Sequence, residues 1–180
     1  RTQLGDLAEL AVKAFDRKLN KTYAPEANAQ AYVYLARMHF VNRNYLGAII
    51  ATTTLARALP QFWADWPEQL LIYFPQPLQN IYRQESQRST IPSELLRSIS
   101  RQESSFREAA ESPAGAYGMM QLLPATAQRV APGAGVEQEI KVEDLLEPAL
   151  NIRLGAQYLR ELNIHYKEIT FSKHAKPEVY

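Results

Sequence analysis

Apolar residues recur along this chain at helical spacing almost from its first residue. Leu4, Leu7, Ala8, Ala11, Val12, Phe15 and Leu19 fall on one face of a helix that the pattern ends near Asn20. Pro25-Glu26 is a favourable helix start, because proline in the first turn gives up no helical hydrogen bond. Tyr32, Leu35, Ala36, His39 and Phe40 then form a second stripe, and Asn42-Arg43-Asn44 reads as a turn. A third helix carries Tyr45, Ala48, Ile49, Thr52, Leu55, Ala56 and Leu59 on one side and is closed by Pro60. Residues 1–59 therefore predict helices joined by short turns, in the manner of αα-hairpins. The second and third helices together have about the length of one helical repeat (~34–47 residues), but the segment holds one copy only.

Residues 60–77 contain four prolines with Trp63, Trp66, Tyr73 and Phe74 among them. So many aromatics predict a packed connection rather than a loose linker. A short helix is expected from Leu78 to about Arg88. Another follows Ile91-Pro92, with Thr90 or Ser89 as its cap and Glu94 in the dipole-favoured first turn. Leu95, Leu96, Ile99 and Ser100 carry that helix towards Glu103. Ser112-Pro113 and Gly115 mark turns, Pro124 to Val130 a helix, and Pro132-Gly133-Ala134-Gly135 a loop. The last strong helix runs from Ala149 to about Leu162, with Leu150, Ile152, Leu154, Ala156, Tyr158 and Leu159. No stretch alternates long enough to predict a strand, so the expected fold class is all-α.

Composition narrows the function classes. The chain has 180 residues, 46% of them hydrophobic, enough for one large or two small domains with real cores. A formal net charge of +1 gives no field pointing to nucleic acid. The absence of cysteine excludes disulfides, thiol nucleophiles and thiolate metal sites. No run of about 18 apolar residues predicts a membrane span. The start, Arg1-Thr2-Gln3-Leu4, shows no signal-peptide pattern and reads as an internal or processed piece. His39, His165 and His174 are far apart, so each is expected in core or solvent and no metal site is expected. The seven glycines form no phosphate-binding loop.

The candidate chemistry centres on Glu103. Its neighbours Ile99 and Phe106 are apolar, and Ser104 and Ser105 are placed to cap the helix end or orient the carboxyl. Apolar surroundings favour a neutral carboxyl, and a protonated acid is what glycosidic cleavage needs. The residues alone leave open a plain surface glutamate at a helix end.

Three ordered motifs change the weighing. They are Glu103-Ser104, then Gly118-Met119-Met120-Gln121-Leu122-Leu123-Pro124-Ala125-Thr126-Ala127, then Asn151-Ile152-Arg153-Leu154-Gly155-Ala156-Gln157-Tyr158-Leu159. Residues 73–162 resemble the lysozyme-like soluble lytic transglycosylases, which cut the glycan strands of bacterial peptidoglycan. The resemblance implies a helical, repeat-like segment over 1–72 and a lysozyme-like transglycosylase domain over 73–180. It implies Glu103 as general acid and base. Ser112 matches a serine beside the saccharide, Gln121 a substrate-binding glutamine, and Thr126 a polar residue near the groove. Leu123 stands where a methionine often lines that groove. Tyr117 replaces a small or polar residue, and either stacks on a sugar or covers the core. Met119, Met120, Leu122 and Tyr158 read chiefly as core. Asn151 is expected to buttress the Glu103 helix, with Ser104 in support.

The family's reaction needs no cofactor and no second carboxylate, although Glu108, Glu111 and Glu139 lie in range along the chain. A monomer acting on peptidoglycan in the periplasm or cell envelope is implied. The family's Ala-Tyr-Asn-Ala-Gly segment does not follow the third motif, so the domain is expected to be truncated, and Tyr180 is not assigned that tyrosine's role. Two alternatives stay open: a goose-lysozyme-like muramidase that uses water, and a non-catalytic peptidoglycan-binding scaffold.

Overall fold

The computed structural model describes residues 3–22 and 24–174, so Tyr180 lies outside the described residues. The chain divides into two compact units, Arg1–Pro77 and Leu78–Tyr180. Among the described residues every regular element is helical, and β-pairing is confined to two isolated bridges, Glu111 with Tyr117 and Tyr117 with Leu122.

The first unit holds α1 (Gln3–Thr22), a 3-10 turn (Pro25–Asn28), α2 (Ala29–Val41), α3 (Tyr45–Ala58), α4 (Phe62–Asp65) and α5 (Gln69–Tyr73). Helix α1 runs slightly beyond the Asn20 expected from its apolar stripe. Pro25 opens the 3-10 turn, and α2 itself begins only at Ala29. The turn between α2 and α3 is tight: Arg43 takes a left-handed conformation (φ 57°), and the Asn44 side chain caps α3 by accepting from Gly47 N at 3.0 Å. The core joins Val12 and Leu19 of α1, Leu35 and Ala36 of α2, and Ala48, Ala51 and Leu55 of α3. The proline-rich stretch is packed into the same core, because Phe62 is fully buried with Trp63 and Trp66 against it.

The second unit holds α6 (Gln79–Ser89), α7 (Ser93–Ser104), α8 (Pro124–Val130), two 3-10 turns (Pro132–Ala134 and Glu143–Leu146) and α9 (Pro148–His174). The caps differ from expectation. Thr90 ends α6 in a left-handed conformation (φ 64°) and does not start α7. Ser89 accepts from Ile91 N across that bend, while Pro92 precedes α7 without a capping side chain. Pro132 turns a 3-10 helix where a loop was expected. Helix α9 continues well past Leu162. Its buried residues Ile152, Leu154 and Ala156 all lie in its first half, so this half holds the unit together. Among the described residues no helix is long and apolar enough to cross a membrane.

Candidate active site

Helix α7 places its residues on two adjacent faces. Leu96, Ser100 and Ser104, four residues apart, are buried; Ile99 and Glu103, also four apart, turn towards an open cleft. Two successive left-handed residues, Ser105 (φ 52°) and Phe106 (φ 63°), stop the helix after Ser104, one residue beyond Glu103. The side chain of Phe106 then packs inward, and Phe106 N still donates to Ser100 O at 3.3 Å. Glu103 thus projects from the last turn of a helix whose end is fixed.

The second motif folds as a tight turn leading into α8. Tyr117 and Leu122 exchange backbone hydrogen bonds, Tyr117 N to Leu122 O at 2.9 Å and Leu122 N to Tyr117 O at 3.0 Å. Gly118 sits in the bend at φ 76°, where an added Cβ would lie 2.1 Å from Leu145 O and 2.3 Å from Asn151 Nδ2. No other residue fits there, which is the physical content of this motif's glycine. Gln121 is also left-handed (φ 48°), and its side chain stabilises its own turn. Its Nε2 donates to Gly118 O at 2.9 Å and to Ala110 O at 3.3 Å. With both amide hydrogens engaged, Oε1 is the group it can offer a ligand.

Two buried side chains lock this turn in place. Ser104 Oγ lies 2.8 Å from Met119 O and 3.0 Å from Ser100 O, linking the turn to α7. Asn151, fully buried in the first turns of α9, accepts from Met120 N at 2.8 Å. It also donates to Leu145 O at 2.9 Å and Tyr117 O at 3.0 Å. Asn151 therefore grips the turn rather than α7 itself, and the connection to the Glu103 helix runs through Ser104 and Met119.

The cleft that results is open along one side and has a volume of about 370 Å³. Glu103, Gln121, Leu123 and Thr126 come together on it, with Ile99, Met120 and Leu122. Glu103 and Leu123 are exposed, and Thr126 is half-buried in the first turn of α8. The opposite wall comes from α9: Gly155, Tyr158 and Leu159. Tyr158 was expected in the core, but it is only half-buried and faces the cleft, with Arg129 stacked 5.7 Å from its ring centre. Gly155 lets α9 come close, since a Cβ there would stand 2.5 Å from Met120 Sδ. The spacing i, i+3, i+4 of Gly155, Tyr158 and Leu159 was the available signal for this wall.

Ser112 and Tyr117 do not line the cleft. Ser112 Oγ accepts from Ala116 N at 3.0 Å within its own loop, and Tyr117 donates its hydroxyl to Glu111 at 3.2 Å. Hydrogen bonding to that carboxylate holds the Tyr117 hydroxyl above its ordinary pKa. Among the described residues Glu103 is the one carboxylate on the cleft wall; Glu108, Glu111 and Glu139 do not border it. Among the described residues no cluster of acidic, histidine or cysteine side chains could hold a metal ion.

This architecture and its motifs match one family of proteins. The model of the transglycosylase SLT domain matches residues 80–175, just over half of the chain. The chain belongs to the transglycosylase SLT family. The chain is similar to the Escherichia coli K12 soluble lytic murein transglycosylase, 31% identical over 87 residues, 48% of this chain and 14% of that protein. A Haemophilus influenzae protein assigned as a soluble lytic murein transglycosylase is 32% identical over 125 residues, 69% of this chain and 20% of the other.

Solved structures agree. The lytic transglycosylase Slt of Pseudomonas aeruginosa, solved as an inactive mutant with glutamine in place of a glutamate, superposes with TM-score 0.62 at 30% identity. The superposition covers 73% of this chain and 20% of that one. The 70-kDa soluble lytic transglycosylase of E. coli gives TM-score 0.62 at 26% identity, over 76% and 21% of the two chains. A similar structure is the complex of the 70-kDa enzyme with bulgecin A. The chain spans about a fifth or less of the length of these relatives.

Proposed function

We propose that the SLT domain cleaves the β-1,4 bond between N-acetylmuramic acid and N-acetylglucosamine in peptidoglycan, leaving a 1,6-anhydromuramoyl end. The observation that carries this reading is the single carboxylate on the cleft wall. A glycosidase that works through two carboxyl groups needs a second one about 5–9.5 Å from the first, and the described residues of the cleft wall include none. One group must then act as acid and base in turn. Glu103 protonates the glycosidic oxygen as the bond to C1 breaks, and the substrate's own acetamido group stabilises the cation at C1. The Glu103 carboxylate next takes the proton from the C6 hydroxyl as its oxygen closes on C1. No water is consumed.

The exposure of Glu103 fits an open cleft waiting for a polymer. A glycan strand laid along Leu123, Tyr158 and Leu159 excludes water from the carboxyl and favours its neutral, proton-donating form. Gln121 Oε1 and Thr126 supply polar contacts on the same wall. The similarity to a transglycosylase inactivated by a glutamate-to-glutamine exchange supports a glutamate as the essential group. Action on peptidoglycan puts the working protein in the periplasm or cell envelope, and a single cleft in one unit asks for no partner copy.

The test is mass spectrometry of soluble fragments released from purified peptidoglycan. Fragments lighter by one water than their reducing forms are expected, and none from Glu103→Gln, which keeps the shape and loses the acid. Reducing-end products would identify a muramidase instead. Undiminished turnover by the variant would remove Glu103 from the reaction.

A further inference from the structure

Helix α9 has a second, polar face. At about 100° per residue, Arg153, Gln157 and Arg160 point roughly opposite to Gly155, Tyr158 and Leu159, which wall the cleft. There, with Glu85 and Arg88 of α6 and the 3-10 turn at Gly133, they border a small recess of about 50 Å³. The turn presses hard on the helix: a Cβ on Gly133 would lie 2.3 Å from Gln157 Nε2, and one on Gly135 3.2 Å from Arg153 Nη2. The Arg153 guanidinium is thus tucked under the turn at the edge of the recess.

The charges around this recess do not balance. Glu85, nearly fully buried, is taken by Arg88 at 2.7 Å. Gln157 donates to Glu161 at 3.1 Å. Neither Arg153 nor Arg160 has a hydrogen-bond or ion-pair partner among the described residues, and Arg153 Nε is buried with its hydrogen unused. A buried charged donor without an acceptor is costly, and folded proteins rarely retain one. The Nε itself is closed off, so a group entering the recess meets the outer guanidinium nitrogens of Arg153 and Arg160, and the surplus positive charge makes that group an anion. Guanidinium groups pair by preference with planar or tetrahedral oxyanions through two parallel hydrogen bonds. The volume fits one such group.

We propose that this recess binds a small oxyanion, a carboxylate or a phosphate group, on the side of α9 away from the cleft. The site is separate from the glycan-binding wall and does not depend on what the cleft does.

The experiment follows the arginine side-chain Nε–H signals of the 15N-labelled chain while inorganic phosphate, acetate or sodium chloride is added at matched ionic strength. A saturable shift of Arg153 with phosphate or acetate, absent with chloride and leaving the Thr126 amide in place, is the expected result. The arm that saturates at lower concentration identifies the source as phosphate or carboxylate. Arg160→Gln, an exposed change that leaves the fold intact, should weaken the binding about tenfold, and Arg153→Gln should abolish it. The proposal is overturned if chloride reproduces the shift, if no arm saturates, or if Arg160→Gln binds as tightly as the parent.

Discussion

Asn151 uses its whole amide on backbone: one carbonyl oxygen accepting from Met120 N, and one amino group donating to Tyr117 O and Leu145 O. All of this happens at a fully buried site. Asn151→Ala would strand two buried backbone groups, Met120 N and Leu145 O, while Tyr117 O keeps the hydrogen bond it accepts from Leu122 N. Each costs about 1–3 kcal/mol when left unpaired, with some relief from relaxation. The expected loss is about 3 kcal/mol or more, read as a lower denaturation midpoint in urea. A loss under about 0.5 kcal/mol would mean that the turn is held by its own backbone bonds. The sequence showed Asn151 as a support but not what it supports. Two of its three partners are main-chain atoms thirty-odd residues away, and a motif reveals side-chain identity, not main-chain direction. The same limit hid the state of Gln121. Its type marked it as a ligand group, while its left-handed backbone and its two donations to Gly118 and Ala110 came only from the fold.

The α2–α3 pair shows how one element fixes another. His39 on α2 is buried, and Asn44 Nδ2 stands 3.1 Å from its Nδ1. The Asn44 oxygen is already occupied by Gly47 N, so its amino group donates to an unprotonated Nδ1 and leaves the proton on Nε2, 3.6 Å from Asp16. Burial holds the His39 pKa below its ordinary value of 6.5, outweighing the Asp16 charge that pulls it up. With the folded value lowered, the unfolded chain takes up the proton first as pH falls. The stability from neutral His39 is full above about 6.5 and is lost progressively below it, down to the lowered folded value. The gap in Tm between the chain and His39→Gln should therefore narrow from pH 7.5 to 5; a gap that holds or widens would contradict this. Gly47 sits one helix away, with its Cα so close that an added Cβ would meet the His39 ring at 2.6 Å. In an open helix, Gly→Ala gains up to about 1 kcal/mol. Here the ring is buried and held at Nδ1 by Asn44, with Nε2 facing Asp16, and overpacking costs about 1–3 kcal/mol. Gly47→Ala should lower Tm, and a rise would show that the ring moves aside. Periodicity revealed these helices well because each has one dry face. It shortened α9 because, over the residues whose burial is described, the helix from Leu162 to Tyr166 shows no such face: Leu162, Ile164 and Tyr166 are all exposed.

At the scale of the whole molecule, each of the two units has core residues of its own among the described residues, in agreement with the shift from a hairpin pattern to motif-bearing helices along the sequence. The three motifs lie far apart in the chain, yet they converge because each contributes one wall: α7 the acid, the turn and α8 the polar edge, α9 the apolar back. What stayed hidden was the two-sidedness of α9, because Tyr158 and Arg153 are both amphipathic and both fit a core-facing pattern. Charge makes the two faces testable apart. The chain carries a formal net charge of +1, and among the described residues the cleft wall has no charged group besides Glu103. Salt screens interactions beyond about 10 Å at 0.1 M, so a neutral sugar held by stacking and hydrogen bonds has little to lose. Binding of an uncharged N-acetylglucosamine tetramer to Glu103→Gln, measured by calorimetry, should change less than about twofold in Kd between 50 and 500 mM sodium chloride, since neither partner brings charge to the contact. A drop of about tenfold or more, worth about 1.4 kcal/mol, would require ionic groups beyond the cleft wall to hold the sugar, and would move the glycan path away from Gln121, Thr126 and Tyr158.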